Sequence, residues 1–333
     1  MKISTGILVV MTLLFAGRAA GEPEIMSKIS LSPAGDKLVF YSDSAEGLVL
    51  CEIETGKTLQ VSSLAGTGNS FSWSPAGDRI GYKAFVDEEG VRRAVPVIYD
   101  LASGETVFLA PPSQKAEPPS FSSSGEMLIL TGDELVILDR ELKPKLTRNL
   151  EYPLFQTALS PGGDRVAAIG GLGEVVIFDP KDGTSKVVLK GETEYQNPVW
   201  APDGSKIAVR SITGDLGVID LKSGGFIDLG LGYFPHWFSD GDRLIYSRHR
   251  GLISDGVEEA SVVIFDLPGR RQELLEIDPE RGAVGVDLSR DGKFISYISP
   301  TDSSLYRTRL EKEGGKMRSA TPTKVQTQLR QSE

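Results

Sequence analysis

Cysteine and histidine are the scarcest chemistry in this chain: its 333 residues include one Cys and two His. A single Cys excludes an internal disulfide, and two His leave little material for a histidine metal cage. No HExxH, CxxC, GxSxG or Walker loop occurs, so zincin, thiol-redox, α/β-hydrolase and P-loop chemistry have no sequence support. Positive charge is not in surplus either. Lys and Arg number 36 against 46 Asp and Glu, a formal net charge of −10, which is a poor balance for tracking phosphate backbones. The one long apolar run, residues 7–16 (ILVVMTLLFA), is too short to span a bilayer. With 40% hydrophobic and 25% charged residues the composition is still that of a folded globular protein. What the chain has in excess is turn-formers, 37 Gly and 19 Pro, favouring many short elements over a few long helices.

The two ends read as processing and tail segments. Residues 1–21 have the layout of a secretory signal: Lys2, the apolar run, then Gly17, Ala19 and Gly21 as small residues before a cleavage after Gly21. No Cys follows the run, so no lipid anchor is expected. Residues 311–333 hold few large apolar side chains, and their distal half is expected to be disordered. The expected division is therefore signal 1–21, one folded domain 22–314, and a closing strand with tail over 315–333. Residues 22–310 carry 29 bases and 43 acids, so the body is more acidic than the whole, at −14.

A short pattern recurs seven times: SPAGD at 32–36 and 74–78, SSSGE at 122–126, SPGGD at 160–164, APDGS at 201–205, FSDGD at 238–242 and SRDGK at 289–293. The Gly residues lie 37 to 51 positions apart, the period of four-stranded propeller blades. Ser-Pro-x-Gly suits a type I turn closed by a left-handed glycine. Four residues before each Gly is an apolar side chain (Leu31, Trp73, Phe121, Leu159, Trp200, Trp237, Leu288). Aliphatic residues stand three after it, and five after it come Phe40, Tyr82, Leu130, Ala168, Val209, Tyr246 and Tyr297. This alternation marks a hairpin. A second turn follows in most copies, an acid at Glu52, Asp100, Asp139, Asp179, Asp220 or Asp266 leading into a turn that usually ends in Gly. Each unit is strand, turn, strand, loop, strand, turn, strand. The expectation is an all-β propeller of four-stranded antiparallel blades, seven by count with six as the alternative.

The run W-S-P-x-G-x-x-I-x-Y followed by I-Y-D-L-x-x-G resembles the WD-like repeat of the TolB family of periplasmic propellers. Trp73 to Tyr82 and Trp200 to Val209 are its best copies. The resemblance covers residues 28–310 and implies a propeller without the α/β domain that precedes it in TolB, residing in the periplasm or cell envelope. It speaks for the fold and hardly at all for chemistry.

Chemistry-bearing residues are few. Cys51 falls in an inward apolar column and reads as a core residue. The repeated acids sit in separate blades and read as acceptors for turn amides rather than calcium ligands. Gly170-Gly171-Leu172-Gly173 lies between two strands and reads as a tight turn. His236 and Asp287 occupy the same column on neighbouring innermost strands, facing the channel, as a hydrogen-bonded pair or as part of a ligand site. Two long insertions, residues 86–93 (with Asp87, Glu88, Glu89, Arg92 and Arg93) and 248–259 (with Arg248, His249, Arg250 and Asp255), belong to the same loop type and emerge on one face, a common binding side. No cofactor and no metal site are expected.

The expected function is a non-catalytic, exported scaffold for a protein or peptide partner, monomeric, without nucleic acid and without a transmembrane segment once the signal is removed. Two alternatives remain: a propeller-type lactonase or lyase with a channel metal, and a stand-alone gating propeller related to those of prolyl-oligopeptidase-like peptidases. If the signal is read correctly, intact mass of the exported protein gives a chain beginning at Glu22; a mature chain retaining residues 1–21 contradicts it.

Overall fold

The computed structural model describes residues 28–42, 45–67, 70–250, 258–277, 282–314 and 316–327. Residues 1–21, which the sequence reads as a signal, Asp255 and the last residues, 328–333, lie outside them. Every regular element described is a β-strand, and none of the described residues forms a helix long and apolar enough to cross a membrane. The strands make seven antiparallel sheets in strict sequence order: residues 29–62, 71–108, 120–149, 154–189, 195–231, 233–275 and 284–324. Blade five shows the unit, with strands Tyr195–Trp200, Lys206–Ser211, Asp215–Asp220 and Phe226–Leu231. The molecule is a seven-bladed β-propeller.

The glycines of the seven turns all take φ between 68° and 87°, where a side chain costs about 1–2 kcal/mol. Each glycine amide donates to the carbonyl three residues back, as Gly35 does to Ser32 at 2.8 Å. In the three SP-x-GD copies the serine does the rest. The Oγ of Ser32, Ser74 and Ser160 accepts two turn amides each and donates to Asp36, Asp78 and Asp164 at 2.8, 2.6 and 2.9 Å.

The residues three and five positions past each turn glycine are at most 1% exposed in all seven blades. In six blades they face the preceding blade. Blade three departs from the alignment. Its turn is one residue shorter, pairing Phe121 with Met127 where blade one pairs Leu31 with Leu38. A one-residue slip exchanges the two faces of a strand. Accordingly Met127 and Ile129 pack on blade two, and Leu128 and Leu130 on blade four. Both faces of a blade are covered, so the slip exchanges one buried apolar pair for another.

Seven core clusters form, one at each of the seven junctions. Near the axis every junction is also hydrogen-bonded. Trp73, Trp200 and Trp237 each donate Nε1–H to a carbonyl of the preceding blade, Ser30, Ala158 and Val199, at 2.9–3.1 Å. Ser72 Oγ donates to Pro119 O, and the Leu159 amide to Ser120 Oγ. The last two junctions share Asp287.

Blade seven finds its outer strand in the C-terminal segment, broken into two pieces. Lys316–Ser319 pairs with residues 310–313, and Thr323–Lys324 with Tyr306 and Arg307. Pro322 lies in the break, where its missing N–H would interrupt a ladder. Beyond it Val325, 5% exposed, packs with Leu38 and Cys51 of blade one. The Cys51 thiol donates to Gln326 O at 3.8 Å, and burial, with Glu52 adding to it, pushes the thiol up to about 11. Val325→Ala is expected to cost about 2 kcal/mol. It should also speed reaction of Cys51 with an aromatic disulfide under native conditions; unchanged stability and labelling would show that the strap does not hold the seam.

Candidate functional site

In each blade the turns joining strands one to two and three to four lie on one face of the disc, the turn face. The hairpins joining strands two to three, and the links to the next blade, lie on the other, the hairpin face.

On the turn face the repeated acids cap their own turns. Asp100, Asp139 and Asp220 each accept two backbone amides, and Asp179 and Asp266 accept one. These bonds, with the Arg79 guanidinium for Asp100, hold Asp100 and Asp220 below the ordinary carboxylate value. Glu52 accepts from Thr55 Oγ1 instead.

Along the axis a cavity of about 430 Å³ is lined by Lys28, Trp73, Val199, Phe234, His236 and Arg290, among others. His236 and Asp287 meet at its wall: Nδ1–H of His236 donates to Asp287 Oδ1 at 2.9 Å. Asp287 is only 4% exposed. It also accepts the Leu31 amide on Oδ2 at 2.6 Å and the Leu288 amide on Oδ1 at 2.7 Å. Burial pushes this carboxyl up, but His236 and the two amides pull it down further, so it stays below its ordinary value. Lys28 Nζ donates to Phe71 O at 3.2 Å, and burial lowers its ammonium, an effect that Asp287 opposes. One carboxylate thus binds blades six, seven and one together.

The inserted residues 86–93 do not form a loop. They extend strands Arg79–Glu88 and Val91–Asp100 to ten residues each, in a hairpin ending at Glu89-Gly90. Asp87 caps that turn through the Gly90 amide, Glu88 pairs with Arg93 Nε at 3.2 Å, and Arg92 lies over Phe85 at 4.4 Å. Glu89 is the exposed turn residue, at φ 53°. In blade six the strand itself runs to Arg250, so Arg248 and His249 are strand residues, with the hairpin partner Glu258–Asp266. His249 is 5% exposed and stacks on Tyr233 at 4.2 Å, while Arg210 stands 4.3 Å from the same Tyr233 ring. Its imidazole is part of the packing beneath this face rather than a loop-tip group. The structure brings His236 and Asp287 together and leaves the two hairpins apart, on blades two and six.

Two features of the hairpin face went unread in the sequence. The first strands of blades four to seven each carry a bulge whose residue, seven before the turn glycine, has positive φ: Gln156, Asn197, Phe234 and Gly285, at 49–59°. Glu117 Oε1 accepts the Gln156 amide, and Gln156 Oε1 accepts the Asn197 amide at 2.5 Å. The second is exposed apolar surface. Tyr152, Phe155, Leu172 and Ile212 all open on this face at blades four and five.

No protein-family model and no curated protein matches the chain. Among solved structures, the β-propeller domain of Cps50 (Swd1) from Myceliophteria thermophila is similar at 14% identity, covering 78% of this chain and 87% of that one, with a TM-score of 0.55. TolB from Acinetobacter baumannii matches at 18% identity over 76% of this chain and 63% of its own, with a TM-score of 0.49. The likeness to Cps50 is one of fold, the β-propeller.

Asp287→Ala is expected to cost about 3–5 kcal/mol, because it strands the Leu31 and Leu288 amides and the half-buried His236 imidazole. A folded value below the ordinary 3.8 means the contribution is present above about pH 4 and lost as pH falls through the lower folded value. Urea midpoints at neutral pH and near pH 3 check this: Asp287→Asn should be weaker at neutral pH and lose less on acidification than the parent.

Proposed function

We propose that the chain is an exported, non-catalytic propeller that holds a protein or peptide partner on its hairpin face in the periplasm or cell envelope. The carrying observation is the pair of elongated hairpins. Second strands are five or six residues long in five blades, but ten in blade two and eight in blade six. At about 3.3 Å per residue, the four extra positions of blade two lift its tip about 13 Å above the shorter hairpins. Two long projections on the same face suit the gripping of a partner better than packing, since they add little to the core.

Asp287 supports a binding role over a catalytic one. Its carboxylate accepts from three donors, two of which tie blades six and one to blade seven, so its chemistry is spent within the fold. Export rests on the signal-like segment 1–21, and the acidic body suits a neutral or basic partner. The test is affinity capture from the envelope fraction, using the parent and a variant with 86–93 and 248–259 each replaced by Asn-Gly. Specific capture by the parent, lost in the variant, is the expected result. Capture of nothing by the parent, or equal capture by both, counts against the reading.

A further inference from the structure

The exposed large apolar side chains are not spread evenly. Among the described residues, Leu59, Phe108, Val187, Phe226 and Leu274 lie singly on outer strands, one per blade, and Val91 lies beside the tip of the long hairpin. The other four, Tyr152, Phe155, Leu172 and Ile212, belong to one band of the hairpin face, with Leu172 at 76% and Ile212 at 58% exposure.

The segments that carry it are neighbours. Gly171, beside Leu172, faces the Pro153 ring: a Cβ there would meet it at 3.4 Å. Gly173 O accepts the Tyr195 amide at 2.9 Å, and Glu194 O accepts the Ile212 amide at 2.9 Å. Its inner edge is held by the Glu117–Gln156–Asn197 chain of side chain to amide bonds, which fixes two left-handed residues in place. Strained backbone held this firmly is a recurrent feature of binding sites.

Charge on the band is predominantly negative, although Lys115 stands over Phe155 and the Arg210 guanidinium beside Gly214. The segments 150–153, 170–174, 190–195 and 211–215 hold five carboxylates against one base, Lys190. Glu151, Glu192, Glu194 and Asp215 are exposed among the apolar groups. Phe155 already receives a cation, with Lys115 Nζ 4.0 Å from the ring centroid, which is the chemistry an aromatic face offers a basic side chain.

We propose that this crescent on blades four and five docks a cationic peptide segment with interspersed apolar side chains, the apolar groups seating on Leu172, Ile212 and Phe155 and the cations on the surrounding carboxylates. The proposal rests on the partner-binding reading and names the chemistry of the partner. An acidic peptide, a nucleic acid or an anionic lipid surface would meet like charge.

Short fluorescent peptides alternating Lys with Leu, Lys with Ser, and Glu with Leu serve as probes in anisotropy titrations of the full mature chain. The Lys–Leu peptide should bind at least about tenfold more tightly than the other two, and raising salt from about 0.02 M to 0.3 M should weaken it. Leu172→Ser with Ile212→Ser should weaken it about tenfold, as should Glu192→Lys with Glu194→Lys and Asp215→Lys, the latter also flattening the salt dependence. These positions are exposed, so thermal midpoints should stay unchanged, and Leu59→Ser on the outer strand of blade one should leave affinity as it was. Equal binding of the three peptides, or crescent variants that bind like the parent, would overturn the proposal even where envelope capture succeeds. Failure of envelope capture instead removes the broader reading, so the two failures are distinct.

Discussion

A ring in which no described strand crosses the closing seam has to be held there by side chains and by whatever the chain ends can reach. Blade one comes wholly from the N-terminal side and blade seven wholly from the C-terminal side. Asp287 answers most of that demand. Its two oxygens accept from blade six through His236 and from blade one through Leu31, while it sits in blade seven. A buried carboxylate is costly to desolvate, and removing one partner of such a group costs more than the pair contributes. Deleting one of its partners in the closed ring therefore leaves a buried charge short of a donor. Val325 and Gln326 make the same seam at larger radius. The other junctions use neutral donors for the same purpose, three of them a tryptophan indole.

The blade was readable because its constraints are local and repeated. A glycine that must be left-handed, with apolar residues at fixed offsets, records itself seven times over, and all seven glycines take that conformation. Blade three shows the limit: its copy SSSGE lacks the proline but has the common length, its pairing closes one residue earlier, and the apolar columns alone cannot reveal the slip, since both faces of that strand are apolar. The bulges were invisible for a different reason. Gln156, Asn197, Phe234 and Gly285 share a backbone conformation and an offset but no residue type. At Gln156 and Asn197 the amide is held by a side chain of the preceding blade, Glu117 and Gln156, about forty residues back along the chain.

The site was less legible than the fold. Charged residues in an insertion suggest a reaching loop, yet at 86–93 most of them satisfy one another: Asp87 caps the turn, Glu88 holds Arg93 and Arg92 covers Phe85. His236 and Asp287 could be brought together from sequence because their column is fixed by the repeat. That the carboxylate also reaches Leu31 depends on ring closure, which no local pattern encodes. The exposed crescent could not be read at all, because Leu172 and Ile212 occupy turns whose sequences differ and whose proximity arises only from neighbouring blades.

An exposed apolar crescent raises the question of why copies would not stick to one another. The surrounding carboxylates supply a physical answer. Two copies brought face to face would oppose like-charged rims while both bodies carry a strongly negative charge, and like-charge juxtaposition at an interface costs several kcal/mol. A cationic segment meets the same groups with the opposite sign and gains from each. The acids therefore act in two directions at once, discouraging self-association through the apolar groups and leaving those groups open to a basic partner. On the turn face the repeated acids are mostly consumed by their own turns, which is why the two faces of one acidic disc need not recognise the same things.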